Sequence, residues 1–157
     1  MKKLLVVAAL AGTAVVGWRW QHEPASATDG DRITSIFVPN RFWIDHLPQG
    51  EKDTVRVFAL WTPESFGVFA DQNHWRVELE RFRYEIKGGT VHTVFPLSGA
   101  REDLTLNASR CHEADWDFCL EVRGSSHGTT RYYSRLGWER RDRSVEQFMA
   151  DVMAAAR

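Results

Sequence analysis

Several things are scarce in this chain, and each scarcity narrows the reading. Basic charge is not in excess: 20 Lys and Arg stand against 21 Asp and Glu, for a formal charge of −1. That excludes the basic field by which nucleic-acid binders hold phosphates. Sixteen of the 20 basic residues are Arg, interleaved with acids, the pattern of a solvated, salt-bridged sheet face. Only two cysteines occur, Cys111 and Cys119, leaving room for one intrachain bridge. No internal repeat and no low-complexity tract interrupts the 157 residues, so one domain is expected. No Gly-x-Ser-x-Gly elbow is present to seat a nucleophilic serine. The apolar run from Leu4 to Gly17 falls short of the ~20 residues a spanning helix needs.

That run follows Lys2-Lys3 and precedes Ala25-Ser26-Ala27, a small-x-small cleavage pattern. Residues 1–27 therefore read as a signal peptide, with an uncleaved N-terminal anchor as the alternative. No cysteine lies near the run, which excludes a lipoprotein anchor. Cleavage would remove Lys2, Lys3, Arg19 and Glu23 and take the formal charge to −3. An exported chain, periplasmic or secreted, sits where thiols oxidise.

What is plentiful points to strands. Seven Trp and nine Phe, with many Val and Thr, suit sheets better than helices. Residues 75–123 form the centre of the pattern. Trp75, Val77 and Leu79 alternate with charged residues; Phe82, Tyr84 and Ile86 then continue one position out of phase. This predicts either a β-bulge or two separate strands. Gly88-Gly89 makes a hairpin turn, Val91, Thr93 and Phe95 follow, and Pro96 ends that strand. Residues 97–102 read as a loop. Leu104, Leu106 and Ala108 share one face of the next strand, and Phe118, Leu120 and Val122 one face of its partner. Cys111 and Cys119 then fall on the opposite, polar face of facing strands, close enough to bridge.

Outside this centre, residues 28–31 form a leader, Ile33–Val38 is β-prone, and Phe42-Trp43-Ile44 is densely apolar. Thr54–Trp61 is apolar on both faces towards its end, as in a strand buried on both sides. Phe66–Ala70 and Arg131–Leu136 are further short strands, and Trp138 closes the last. The period then changes. Val145, Phe148, Met149, Val152, Met153 and Ala156 mark the apolar stripe of an amphipathic helix. Ser144 and Gln147 supply its capping box. The predicted organisation is a signal segment over 1–27, an antiparallel β domain over 28–143 and a helix over 144–157 docked on it. The fold class is mainly β, a small up-and-down barrel with one C-terminal helix; a β-sandwich is the alternative. This rhythm of strands, turns and a single late helix resembles lipocalin-like (calycin) barrels. Residues 33–43 lack the Gly-x-Trp with which lipocalins open, so no residue role is carried over.

For function, the aromatic residues are the most suggestive set. Their structural reading is a bulky core. Their functional reading is an apolar pocket at a barrel mouth, with Arg or His at the rim, and the candidate ligand-binding residues are Trp43, Trp61, Phe82, Tyr84 and Tyr132. The leading expectation is a non-enzymatic barrel binding a small apolar or amphipathic ligand or an envelope component. The alternative is a protein-interaction module using an exposed Trp116 at the disulfide hairpin tip, or the helix stripe. A hydrolase comes last. Asp45-His46 could orient an imidazole with Ser65, Ser98 or Ser134 as nucleophile. His74, His92 and His127 are scattered along the chain. The pairs Glu78/Glu80 and Asp115/Asp117 are the spacing of paired acids on a strand, but alternation with Arg76, Arg81 and Arg83 favours salt bridging. Cys111, His112, Asp115, Asp117 and Cys119 are metal-ligand types, yet oxidation of the two thiols is expected instead. No catalytic residue, cofactor, metal or nucleic-acid partner is assigned; a membrane would be met only through the N-terminal segment. Protein isolated without reductant is expected to show no titratable thiol, and two free thiols would disprove the Cys111–Cys119 bridge.

Overall fold

The structure, a computed structural model, describes residues 32–33, 38–113, 115–140 and 143–155. The signal segment, residues 1–27, and residues 34–37 of the first β-prone stretch lie outside the described residues. Nine strands and one helix follow in order: β1 (Arg32–Ile33), β2 (Phe42–Ile44), β3 (Val55–Trp61), β4 (Phe66–Gln72), β5 (Val77–Lys87), β6 (Thr90–Val94), β7 (Arg101–Arg110), β8 (Phe118–Arg123), β9 (Arg131–Ser134) and α1 (Val145–Ala155). From β2 to β9 every strand pairs antiparallel with the next, and β9 returns to β2 at Ile44↔Tyr133. The result is a closed eight-stranded up-and-down barrel, not a sandwich of two sheets. β1 lies beside β7 at Arg32↔Ser109, beyond the reach of β6.

Alternation along each strand sorts side chains into two apolar layers. Phe58 and Leu60 of β3, Phe69 of β4, Phe82 and Tyr84 of β5, Leu104 of β7, Leu120 of β8 and Tyr132 of β9 point into the barrel. The rings pack against one another: Phe58–Phe69 centroids are 5.0 Å apart, Phe69–Phe82 5.3 Å and Phe82–Phe95 5.4 Å. Gly67 makes room for this column. It stands opposite Phe82 in the ladder, and a Cβ there would lie 2.4 Å from that ring.

The second layer is outside. Val55, Val57, Ala59 and Trp61 alternate with the interior residues of β3, and Val68 and Ala70 do so in β4. Val145, Phe148, Met149 and Val152 of α1 cover them. The two-faced burial expected of Thr54–Trp61 therefore has two separate causes, rings within and a helix without. The helix begins on the expected capping box: Ser144 N–H donates to Gln147 Oε1 (2.9 Å), and Gln147 N–H to Ser144 Oγ (3.2 Å).

The phase slip near residue 80 is neither a bulge nor a break. The β4–β5 register runs without interruption from Gln72↔Val77 to Phe66↔Arg83. Leu79 packs outward into the helix-covered layer, whereas Phe82 and Tyr84 point inward. The apolar pattern changes phase because the buried side of the strand changes. Residues 97–102 are only partly loop, since β7 begins at Arg101.

The Cys111–Cys119 bridge is formed, with Cα atoms 5.1 Å apart. Cys111 stands one residue past β7, so the cysteines are not a facing strand pair; Cys119 faces Ser109. Trp116, expected exposed at this tip, is half-buried. It stacks on Tyr133 at 5.0 Å and meets Trp138 edge-on at 5.8 Å.

Phe148 stacks on Phe42 at 4.3 Å and meets Trp138 edge-on at 5.0 Å. Phe148→Ala is expected to cost about 3–5 kcal/mol, as burial and ring contacts are lost together. Urea denaturation checks this; a loss below about 1 kcal/mol would mean that the helix does not complete the outer layer.

Candidate functional site

One end of the barrel carries the turns at 62–65 and 88–89 and the disulfide loop. The other carries residues 45–54, 73–76, 95–100 and 124–130. At this second end the inward positions continue past the last rings and become charged. Arg56 lies two residues before Phe58, Asp71 two after Phe69, and Glu80 and Glu78 two and four before Phe82. These four residues, with Phe69, Tyr132, Ser126, His127 and Gly128, line a cleft of about 440 Å³.

His127 closes the aromatic column from the β8–β9 loop. Its ring stacks on Phe69 at 4.0 Å and lies 5.5 Å from Phe95. Nε2 meets Glu80 Oε2 at 2.9 Å, and Nδ1 meets Ser125 Oγ at 3.2 Å. Gly124, at φ 85°, brings the loop in closely; a Cβ there would lie 2.2 Å from the Asp103 carbonyl oxygen. On the facing wall, Arg56 Nη1 donates to Thr129 Oγ1 (2.9 Å) and Nε lies 3.5 Å from Asp71 Oδ1. The phenol of Tyr132 beneath is held well above its ordinary pKa, first by burial and then by the Asp45 carboxylate. It remains neutral across the physiological range.

Ser125, His127 and Glu80 form a hydroxyl–imidazole–carboxylate relay. Hydrolytic use would also require donors aimed at a developing oxyanion. The two main-chain N–H groups that follow Ser125 are already engaged. That of Ser126 donates to Glu102 Oε1 (3.2 Å), and that of His127 to Ser125 Oγ itself (3.1 Å). The relay pins the loop over the column.

The sequence-derived candidates are dispersed. Trp43, Phe82, Tyr84 and Tyr132 fill the interior, and only Tyr132 reaches the cleft. Tyr84 Oη donates to Trp61 O (3.1 Å), and Trp43 Nε1 to Val38 O (3.2 Å). Trp61 belongs to the outer layer, stacked on Phe66 at 4.8 Å. His46 is held by carboxylates at both nitrogens, Asp45 Oδ1 at 2.8 Å and Asp53 Oδ2 at 3.1 Å, and acts as a loop staple. His92 pairs with Asp103 (2.6 Å) away from the cleft. Asp115 accepts from Arg135 Nε through its carbonyl (2.7 Å), and Asp117 Oδ2 from Leu136 N–H (2.7 Å), so this acid pair shapes a turn. Among the described residues no group of three metal-ligating side chains converges.

Sequence reasoning missed Arg56 and Asp71, and it left His127 unplaced. The available signal was parity, because a charged residue two positions from an interior ring on a barrel strand must point to a mouth. It also missed Arg41, buried at the opposite end. Arg41 pairs with Glu139, donates to Arg135 O (2.7 Å) and lies over Phe118 at 4.3 Å. Comparison of the chain with protein families, characterised proteins and solved structures finds no match.

A pH dependence follows from the loop staple. The Gln49 N–H bond, aided by His46, holds the Asp53 carboxyl below its ordinary pKa. A depressed carboxylate contributes stability above its unfolded pKa, about 3.9, and loses it as pH falls through the folded value. Asp53→Asn should therefore be less stable than the parent at pH 6, with the gap closing towards pH 2. Urea midpoints across this range test it; a constant gap would sink the assignment.

Proposed function

We propose that the protein is a non-enzymatic barrel, exported and disulfide-bonded, that binds a small amphipathic ligand in the cleft at its charged end. The observation that carries this reading is the division of the inward face, rings filling the barrel and charged residues standing above them around a cleft of about 440 Å³. A space of this size suits a small ligand, and a few polar groups over an apolar floor suit one with two chemically distinct ends. Because the interior is packed, the ligand sits on the column, not inside it. Asp71, Glu78 and Glu80 outnumber Arg56 among the charged side chains of the cleft, which favours a cationic head group. Export is supported by the bridge and by the basic-then-apolar opening of the chain.

Calorimetric titration with three dodecyl amphiphiles, below their micelle concentrations, tests the site. The trimethylammonium form should bind saturably at one site, more tightly than the neutral glucoside or the sulfate. Glu80→Gln together with Asp71→Asn should weaken it about tenfold, because two desolvated charge contacts are lost. Equal affinity for all three head groups, or no saturable binding of any, would overturn the proposal.

A further inference from the structure

β5 outruns its neighbour. It has eleven residues and β6 has five. The β5–β6 ladder begins at Arg83↔Val94 and ends at Lys87↔Thr90, whereas β4 accompanies β5 from Val77 onward. Among the described residues, 77–82 therefore have a strand on one side only. The flanking bonds fix the direction of their main-chain groups. Asn73 N–H donates to Arg76 O, and Tyr84 N–H to Ser65 O, each at 3.0 Å. Even-numbered residues of β5 thus bond towards β4. The N–H and C=O groups of Val77, Leu79 and Arg81 face the opposite edge. No strand among the described residues takes them.

An open strand edge is a template for another strand, and proteins that leave one open normally guard it. On the outward side Val77 is 44% exposed, Leu79 packs into the helix-covered layer and Arg81 is exposed. The inward side carries Glu78, paired with Arg76, and Glu80, paired with His127 Nε2 at 2.9 Å, and both line the cleft with Asp71. That charge decides which strand can add. When two β5 edges pair about a two-fold axis in one continuous sheet, inward faces stay on the same side. Glu78 and Glu80 of one copy would then oppose glutamates of the other, and like charges directly opposite are destabilising. A second copy is disfavoured, and a basic strand is favoured.

We infer that the open edge of β5, residues 77–82, is a strand-addition site for an extended segment of another protein in which basic side chains alternate with apolar ones. Main-chain bonds to Val77, Leu79 and Arg81 supply the pairing. Basic side chains meet Glu78 and Glu80 on the inward face, and apolar ones lie beside Val77 and Leu79. The inference rests on the unpaired ladder; it shares Glu78 and Glu80 with the amphiphile site but uses neither Asp71 nor the apolar floor.

The test uses the full chain and a short peptide alternating lysine and valine, read by amide hydrogen exchange. The peptide should slow exchange at Val77, Leu79 and Arg81 about tenfold or more, while a glutamate–valine peptide leaves them unchanged. Two N-methylated versions, one blocked at every lysine and one at every valine, add a check on the main chain. In a given strand direction only one set of N–H groups faces the edge, and antiparallel pairing is the more stable, so the two versions should bind unequally. Arg81→Pro removes an edge-facing donor without touching the β4 ladder and should weaken the peptide about tenfold. Asp71→Asn alone, at a cleft residue on β4 that the added strand does not meet, should weaken the amphiphile and still leave the lysine peptide protecting the three amides, separating this site from the amphiphile site. Unprotected amides with the lysine peptide would overturn the inference, as would equal binding of both methylated peptides. Protection that rises with protein concentration alone would assign the edge to a second copy and overturn it as well.

Discussion

Strand parity, applied twice, is the constraint on which this structure depends. Each strand of β3 and β4 must bury both its faces, and the two faces meet different partners. The inward face has only the space inside eight strands, which the rings from β3, β4, β5 and β9 fill. The outward face would be an apolar patch in water without α1. Barrel and helix are therefore one packing problem. The rings hold the strands at their spacing, and the closed strands present the surface the helix needs. A helix of eleven residues gains little from its own hydrogen bonds, so its stability comes from that surface.

This explains why some elements could be read from sequence and one could not. The helix stripe and its Ser144–Gln147 box declared themselves because spacing alone identifies them. Thr54–Trp61 declared its two-faced burial because no polar residue interrupts its second half. β5 was misread for a physical reason: hydrophobic periodicity reports which side is buried, and along β5 that side changes. Near Leu79 the helix-covered layer is the apolar environment; beyond Phe82 the barrel interior is. A strand that crosses from one environment to the other without changing register leaves the same trace as a bulge. The cysteines show the opposite case. Sequence proximity predicted the bond although their exact strand positions were wrong, since a bridge tolerates a diagonal across a loop base as well as a facing pair.

The charged end was hidden by composition. Arg56, Asp71, Glu78 and Glu80 look like ordinary members of an alternating, salt-bridged surface. Only the height at which the ring column stops distinguishes an inward charge over the core from a solvated one. Strand stagger and loop length determine that height, and neither can be read from local pattern. Arg41 belongs to the same class. An arginine before Phe42-Trp43 gives no sign that its guanidinium will be buried against Phe118 and neutralised by Glu139. Such a group is tolerated because its donors are satisfied and an opposite charge accompanies it.

Strand-length mismatch ties these features together. Had β6 matched β5 in length, a strand would cover residues 77–82 and draw the barrel closed to its rim. Because β6 stops opposite Arg83, closure at that level falls to the β8–β9 loop, whose His127 ring caps the column and reaches back to Glu80. A loop side chain can fill space, but it cannot supply the ladder that a strand would. The same shortfall therefore leaves a cleft on the inner side of β5 and, along its edge, main-chain groups that no strand among the described residues takes. Glutamates at the inward positions suit such an edge, because like charges directly opposite disfavour its pairing with a second copy. The charges that looked like surface decoration in the sequence are what an incompletely paired strand requires.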